Sequence, residues 1–357
     1  MTALELALSV FVVVAAVLAA VFRDIVGAVA MFAAFSLGIA IVWLLLSAPD
    51  VALTEAAVGA GVMAMLLLVA LMKTSRDPLE SETDRPGSLR SIDVPAAVVT
   101  AAVALPLAYS VSFFPSIGDP GAPAVSAVDR VGDATPYAHY VGAEGVDHGL
   151  TNAVAAVLVI YRGLDTLGEV IVAFTAVIGV LVVLGRERAS TRPRVGVRAR
   201  SSNDDTTVAF PDPYVMSPVV TTAIRTVVPL VFAFGAYLTL HGTYLPGGGF
   251  QGGVVMGSAF VLLGLAFGLA PTSDWIDERA LVAALVLGVG AFVGVAVAAL
   301  AFRGTLLEVL AYPIAPAITV EVVEVGIGVL VGGVVTALVV AMAVGVRNGP
   351  TDGGGSS

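Results

Sequence analysis

Four places in this 357-residue chain put ionisable side chains inside or beside long apolar runs. The first is Pro49-Asp50 followed by Glu55. Proline suits the first turn of a helix, and an aspartate favours its positive end, so capping accounts for Asp50. Glu55 lies about 7–8 Å further in, at 1.5 Å per residue, and capping does not account for it. The second place is the stretch Asn152 to Glu169, in which Arg162, Asp165 and Glu169 could form one charge cluster. A planar guanidinium can bridge two carboxylates. The same residues read equally well as a structural ion pair or as part of a route for ions or protons. The third is His241-Gly242 followed by Leu245-Pro246-Gly247-Gly248-Gly249-Phe250-Gln251-Gly252-Gly253. Its glycines Gly247, Gly248, Gly249, Gly252 and Gly253 fit a sharp turn or a close backbone approach. It lacks the Lys-Ser/Thr of a phosphate loop. His241 could titrate near neutral pH, or hydrogen-bond a loop carbonyl. The fourth is Glu321 and Glu324 at the head of the last apolar run, with Glu308 before it.

Acids in such places carry protons, pair with cations or offer oxygen ligands to them. No nucleophile stands beside a base, so nothing points to hydrolysis, group transfer or redox chemistry. The expectation is a protein that is not an enzyme and uses no cofactor. Zero cysteines exclude disulfides and thiolate sites, and three histidines are too few for a histidine metal cluster.

The elements that must position these groups follow from composition. Hydrophobic residues make up 58% of the chain and charged residues 12%, where a soluble domain carries about 25% charged residues. Mean hydropathy is +0.99. The bilayer is the solvent for such a chain, so the expected fold class is an all-α integral membrane protein, multi-pass in the cell membrane. A spanning helix needs about 20 mostly apolar residues. Runs of that kind cover 3–22, 25–47, 51–72, 94–114, 167–185, 219–240, 252–270, 280–302 and 321–345, giving about nine transmembrane helices. The first run lacks the basic flank and cleavage pattern of a signal peptide and reads as a mature helix. Asn152 to Tyr161 is apolar but too short to span. It reads as a short re-entrant or interface-lying helix that breaks at Gly163, after which Asp165 or Thr166 caps the next helix. The spacings Gly253/Gly257, Gly264/Gly268, Gly290/Gly294 and Gly328/Gly332 read as packing.

The positive-inside rule then orients the chain. Lys73, Arg76, Arg85 and Arg90 form one basic block, and Arg186, Arg188, Arg192, Arg194, Arg198 and Arg200 another. Placing both inside also brings Arg23, Arg225, Arg279 and Arg347 inside, leaving Arg130, Arg162 and Arg303 outside. The N-terminus is expected outside and the C-terminus in the cytoplasm, which requires an odd number of spans. A long acidic, Gly- and Pro-rich loop, 115–151, lies outside. The linkers 74–93 and 186–212 read as joints between three, two and four spans. The expected divisions are 1–75, 76–200, 201–349 and a disordered tail at 350–357. A net charge of −10 with a single lysine suits a salt-adapted organism and argues against nucleic acid as a partner.

The strings themselves resemble a known family. The glycine string after His241-Gly242 is similar to the signature of the B-type chain of Mrp-type (Mnh-type) sodium/proton antiporters. Tyr161-Arg162-Gly163-Leu164-Asp165-Thr166-Leu167-Gly168-Glu169 resembles the final, E-type segment of the large A-type chain, and Pro49-Asp50 to Gly59 resembles the D-type piece before it. Glu324-Val325-Gly326 is similar to an acid-x-Gly position in the last helix of the B-type chain. The chain thus resembles a fusion of MbhD-like, MbhE-like and MnhB-like pieces. The resemblance implies a subunit of a Na+/H+ antiporter complex, with other Mrp subunits, Na+, H+ and the lipid bilayer as partners. Any bound cation would be transient Na+. The ion and proton pathway candidates are Glu55, Glu169, Asp165, Arg162, Glu324, His241 and Asp50, with Pro246 and the five glycines as a structural loop. No span holds a lysine, so the lysine-containing proton channel of the large A-type chain is absent. The strings are shared with membrane-bound hydrogenases and complex I-like enzymes, which is the alternative assembly, and a non-conducting structural linker is another. The halves show no inverted repeat.

Overall fold

In lipid every backbone N–H and C=O must be satisfied within the segment, so a chain this apolar folds as helices. The computed structural model describes residues 3–22, 24–73, 94–116, 119, 150–190, 218–302 and 304–347. Most of both basic linkers, most of the acidic loop and the C-terminal tail lie outside the described residues, as do Arg23, Arg130 and Arg303.

Among the described residues nine helices are long and apolar enough to cross a membrane. α1 is Ala3–Val21 and α2 is Ile25–Leu45, whose first turn is capped by Asp24 accepting from the Gly27 N–H. α3 runs as an α-helix over Pro49–Glu55, widens to a π-helix over Ala56–Met63, and returns to α over Ala64–Lys73. α4 is Val94–Val111. A short helix, α5, starts at Ala153–Ala155 and continues as a π-helix over Ala156–Tyr161. α6 is Gly163–Ser190, α7 is Pro218–His241 and α8 is Gly249–Phe267. The short α9 is Leu269–Asp274, and α10 is Glu278–Ala298. α11 is Pro316–Arg347.

α11 is the centre of the molecule. It packs against α8, α10 and α6, and α7 closes on α8. Glycines allow the close α8–α11 approach: a Cβ on Gly253 would stand 2.6 Å from the Gly328 carbonyl oxygen, and one on Gly257 would stand 2.5 Å from the Val335 Cβ. α1, α2 and α3 form a second group that meets the first through α3 and α8. Val320, Val323 and Leu330 of α11 and Phe292 of α10 have essentially no exposure and belong to the core around α11.

Several boundaries differ from the sequence reading. α11 begins at Pro316, five residues before Glu321, because proline fits the first turn of a helix. Both acids therefore sit within the helix rather than at its rim. α8 begins at Gly249 rather than Gly252. The break before α6 falls at Arg162 (φ −123°, ψ 31°), and helix resumes at Gly163. Asp165 and Thr166 consequently lie inside the first turn of α6 and do not precede it as caps. Of the glycine spacings, Gly290 and Gly294 would bring an added Cβ within 4 Å of nothing, so that pair packs no helix among the described residues.

Candidate functional site

The loop between α7 and α8 is where distant parts of the chain meet. Gly247 (φ +150°) and Gly248 (φ +133°) take backbone angles that side chains disfavour. The Gly248 N–H donates to the Leu238 carbonyl and folds the loop back onto α7. The Gly247 N–H donates at 3.0 Å to Oδ1 of Asp50, which is buried. The same oxygen accepts from Asn152 Nδ2 at 3.0 Å. Asp50 therefore does not cap its own helix, whose N-terminus has no side-chain cap. It ties α3 to the glycine loop and to α5.

Asn152 completes this knot. Its Oδ1 caps α5, accepting from the Val154 and Ala155 N–H groups. Its Nδ2 also donates to the carbonyls of Gly242 and Leu245. The Thr151 hydroxyl donates to the Tyr244 carbonyl at 2.7 Å. In the sequence reading Asn152 is only the start of an apolar stretch. An asparagine directly before a helical run is a capping signal, and that signal points to it.

On the other face of the loop stands Glu324, 6% exposed, in the third turn of α11. Its Oε2 accepts a hydrogen bond from the Gly249 N–H. A Cβ on Gly249 would collide with the Glu324 backbone carbonyl, so only glycine lets α8 start there. Three residues earlier, Glu321 Oε2 accepts from the Thr243 hydroxyl at 3.1 Å. Glu308 is engaged locally, accepting from the Thr305 N–H at 2.6 Å.

Beside this knot lies a cavity of about 450 Å³. Its polar lining includes Thr54 of α3, Thr166 and Glu169 of α6, Gln251 of α8 and Glu324 of α11. Valines and other apolar groups of α5, α6 and α11, with Phe250, form the rest. All these polar residues lie within about the first three turns of their helices, so the cavity sits at one end of the bundle.

The sequence-derived candidates divide accordingly. Glu169 and Glu324 share the cavity wall, and Asp50 and the glycines build the loop beside it. Glu55 points elsewhere: a Cβ on Gly59 would stand 2.7 Å from its Oε1 and 2.3 Å from the Ser36 Oγ, which places it against α2. Among the described residues Arg162 pairs with Asp165 alone, Nε to Oδ2 at 2.6 Å, with both side chains more than half exposed. Among the described residues Glu169 takes no part in that ion pair. His241 is exposed and stacks on Tyr237 with ring centroids 4.3 Å apart. Gln251 is a wall residue hidden, in the sequence, within the glycine string.

A family model described as a domain related to the MnhB subunit of Na+/H+ antiporter matches residues 219–345. A second, described as the D subunit of MBH, matches residues 10–76. An uncharacterized protein of Methanocaldococcus jannaschii is 33% identical over 36% of this chain and 49% of its own length. A Rhizobium meliloti protein, named a probable K+/H+ antiporter A/B subunit, is 32% identical over 37% of this chain and 13% of its own. A Staphylococcus saprophyticus chain named antiporter subunit mnhB2 is 51% identical over 14% of this chain and 35% of its own. The chain thus spans at most about half the length of these relatives. The structure of the Mrp complex from Dietzia sp. DQ12-45-1b shares the fold, with TM-score 0.69 and 24% identity over 96% of this chain and 35% of that one.

Proposed function

Starting from a chain that belongs to the Mrp/Mnh-type antiporter subunits, as a fusion of an MbhD-type segment with an MnhB-related domain, we propose that it serves a multi-subunit Na+/H+ antiporter as part of the ion pathway. The observation that carries this is the cavity between Glu169 and Glu324, at the junction of α3, α6, α8 and α11. Two carboxylates on one largely apolar wall can hold a cation or a proton, and a site that takes either but not both couples the two flows. Glu55 and Asp165 stand within about one helical turn of Thr54 and Glu169, and are the next acids along each helix. His241 and the Arg162–Asp165 pair lie at the mouth of the bundle. The stretch from Asn152 to Glu169 acts as the E-type piece, knotted to its neighbours by Asn152 and Asp50. The N-terminus is outside and the C-terminus inside, which puts the cavity toward the outer face. Other Mrp-type subunits supply the lysine-containing proton channel that this chain lacks.

The test is sodium-dependent proton movement in inverted vesicles from cells expressing the assembled complex. Glu169→Gln and Glu324→Gln should each reduce exchange at least ~10-fold, the scale expected when a charge that only the transported ion compensates is lost. Each glutamine keeps the acceptor oxygen, so assembly should persist. Unchanged exchange in both variants would remove the cavity from the pathway.

The match of the first spans to a model described as the D subunit of MBH favours one second reading, an ion-translocating membrane subunit of a hydrogenase or complex I-like assembly. The chains that co-purify with this one separate the two. Antiporter-like large subunits alone support the first reading, and redox subunits support the second.

A further inference from the structure

We infer that the side-chain amide of Gln251 is a neutral oxygen ligand for a monovalent cation held in the cavity beside Glu324. This deepens the pathway reading above and rests on it.

Gln251 is 8% exposed, lies in the first turn of α8 and lines the cavity. Among the described residues its side-chain amide makes no hydrogen bond, while buried Asn152, across the loop, has both ends of its amide engaged. Buried polar groups in folded proteins are partnered, so an unpartnered amide on a cavity wall asks for something in the cavity.

What it asks for follows from its neighbours. A Cβ on Gly248 would stand 3.0 Å from Glu324 Oε2 and 3.1 Å from Gln251 Oε1. Two acceptor oxygens from different helices therefore flank Gly248, no further apart than those two distances together and close enough for one ion or donor to reach both. Neither oxygen can donate to the other while the carboxylate is ionised. A cation or a donor between them satisfies both. The Glu169 carboxylate and the Thr54 and Thr166 residues lie on the same wall, and every one of these groups offers oxygen. Hard monovalent cations take oxygen ligands, and the cavity is far larger than one water, so the ion keeps part of its hydration shell. Gln251 then differs from the acids in function. It contributes a dipole without a charge, and so sets which cation is held without raising the affinity for protons.

The experiment uses carbodiimide labelling of the cavity acids together with transport, on the assembled complex in its native membranes. Sodium should protect Glu169 and Glu324 of the wild-type chain from dicyclohexylcarbodiimide. Gln251→Leu should raise the sodium concentration needed for half-protection, and the half-saturating sodium concentration for exchange, at least ~10-fold, the loss of one good ligand. Gln251→Glu retains an oxygen at the same place and should keep protection near the wild-type concentration. A merely structural amide predicts the opposite grouping, with Leu tolerated against the apolar wall and Glu disruptive. Equal half-protection in wild type and Gln251→Leu would overturn the inference, as would equal loss in both variants. Protection is read without turnover. Sodium protection that depends on Gln251 in a complex that exchanges nothing would refute the pathway reading and leave the site standing. Should Gln251→Leu fail to assemble, Gln251→Met, which preserves length without the oxygen, replaces it with the same expectations.

Discussion

At the scale of single residues, the junction is held by polar groups with no spare capacity. Asn152 joins α5, Asp50 and two loop carbonyls through one side chain. Asn152→Ala would leave the buried Asp50 carboxylate with the Gly247 N–H as its remaining partner and two loop carbonyls without a donor. Leaving such groups unsatisfied costs about 1–3 kcal/mol. The midpoint of denaturant-induced loss of the assembled chain should fall accordingly, whereas alanine at His241, exposed on Tyr237, should leave it unchanged. The sequence shows that Glu169 and Glu324 are out of place in apolar runs, because a charge in such a run is visible in one dimension, and it reads Asp50 as a helix cap. It does not show which of them meet. Glu324 and the Gly249 N–H are 75 residues apart, and Asp50 and Gly247 are 197 apart. Gln251 escapes for a related reason: an uncharged amide two residues from a helix start looks like part of the turn until its lack of a partner is seen.

At the scale of elements, the nine spans are legible because length and apolarity alone decide them, while the two π-helical stretches, Ala56–Met63 and Ala156–Tyr161, are not. A wider turn leaves the same apolar composition and shifts the periodicity too little to read over so short a run. Just before the first of these stretches, Thr54 and Glu55 still lie in the α-helical turn, where successive side chains point about 100° apart, so one serves the cavity and the other α2. The α2–α3 contact depends on Gly59, where an added Cβ would meet Ser36 Oγ at 2.3 Å and Glu55 Oε1 at 2.7 Å. Gly59→Ala should force the helices apart at a cost of about 1–3 kcal/mol, the usual range for overpacking. Gly290→Ala, with nothing within 4 Å, should be neutral or slightly stabilising, since alanine is the better helix former. Parallel thermal denaturation of the two variants checks the pair. Equal effects would mean that helix propensity, and not this contact, governs both.

At the scale of the whole molecule, the chain is built to be surrounded. α4 has no buried residue, and α1 and α2 expose leucines and valines along their length. Lipid and partner subunits are the surfaces that can cover them. At one end of the bundle Arg225 lies over the Phe267 ring at 4.7 Å, with Trp275 packed 5.5 Å from Phe267. An arginine and a tryptophan side by side mark a membrane interface, and in the orientation proposed above it is the cytoplasmic one. The cavity acids and the Gly248 loop lie toward the N-terminal ends of α6, α8 and α11, and α8 reaches the Arg225–Trp275 cluster at its C-terminal end. Because the chain has no cysteine, single substitutions report orientation without background. Leu306→Cys, in the connection before α11, should react with a membrane-impermeant maleimide on intact cells. Trp275→Cys should react only after permeabilisation. The reverse pattern would invert the proposed orientation, put the Glu169–Glu324 cavity on the cytoplasmic side, and turn the proposed route from one that receives ions from outside into one that receives them from within.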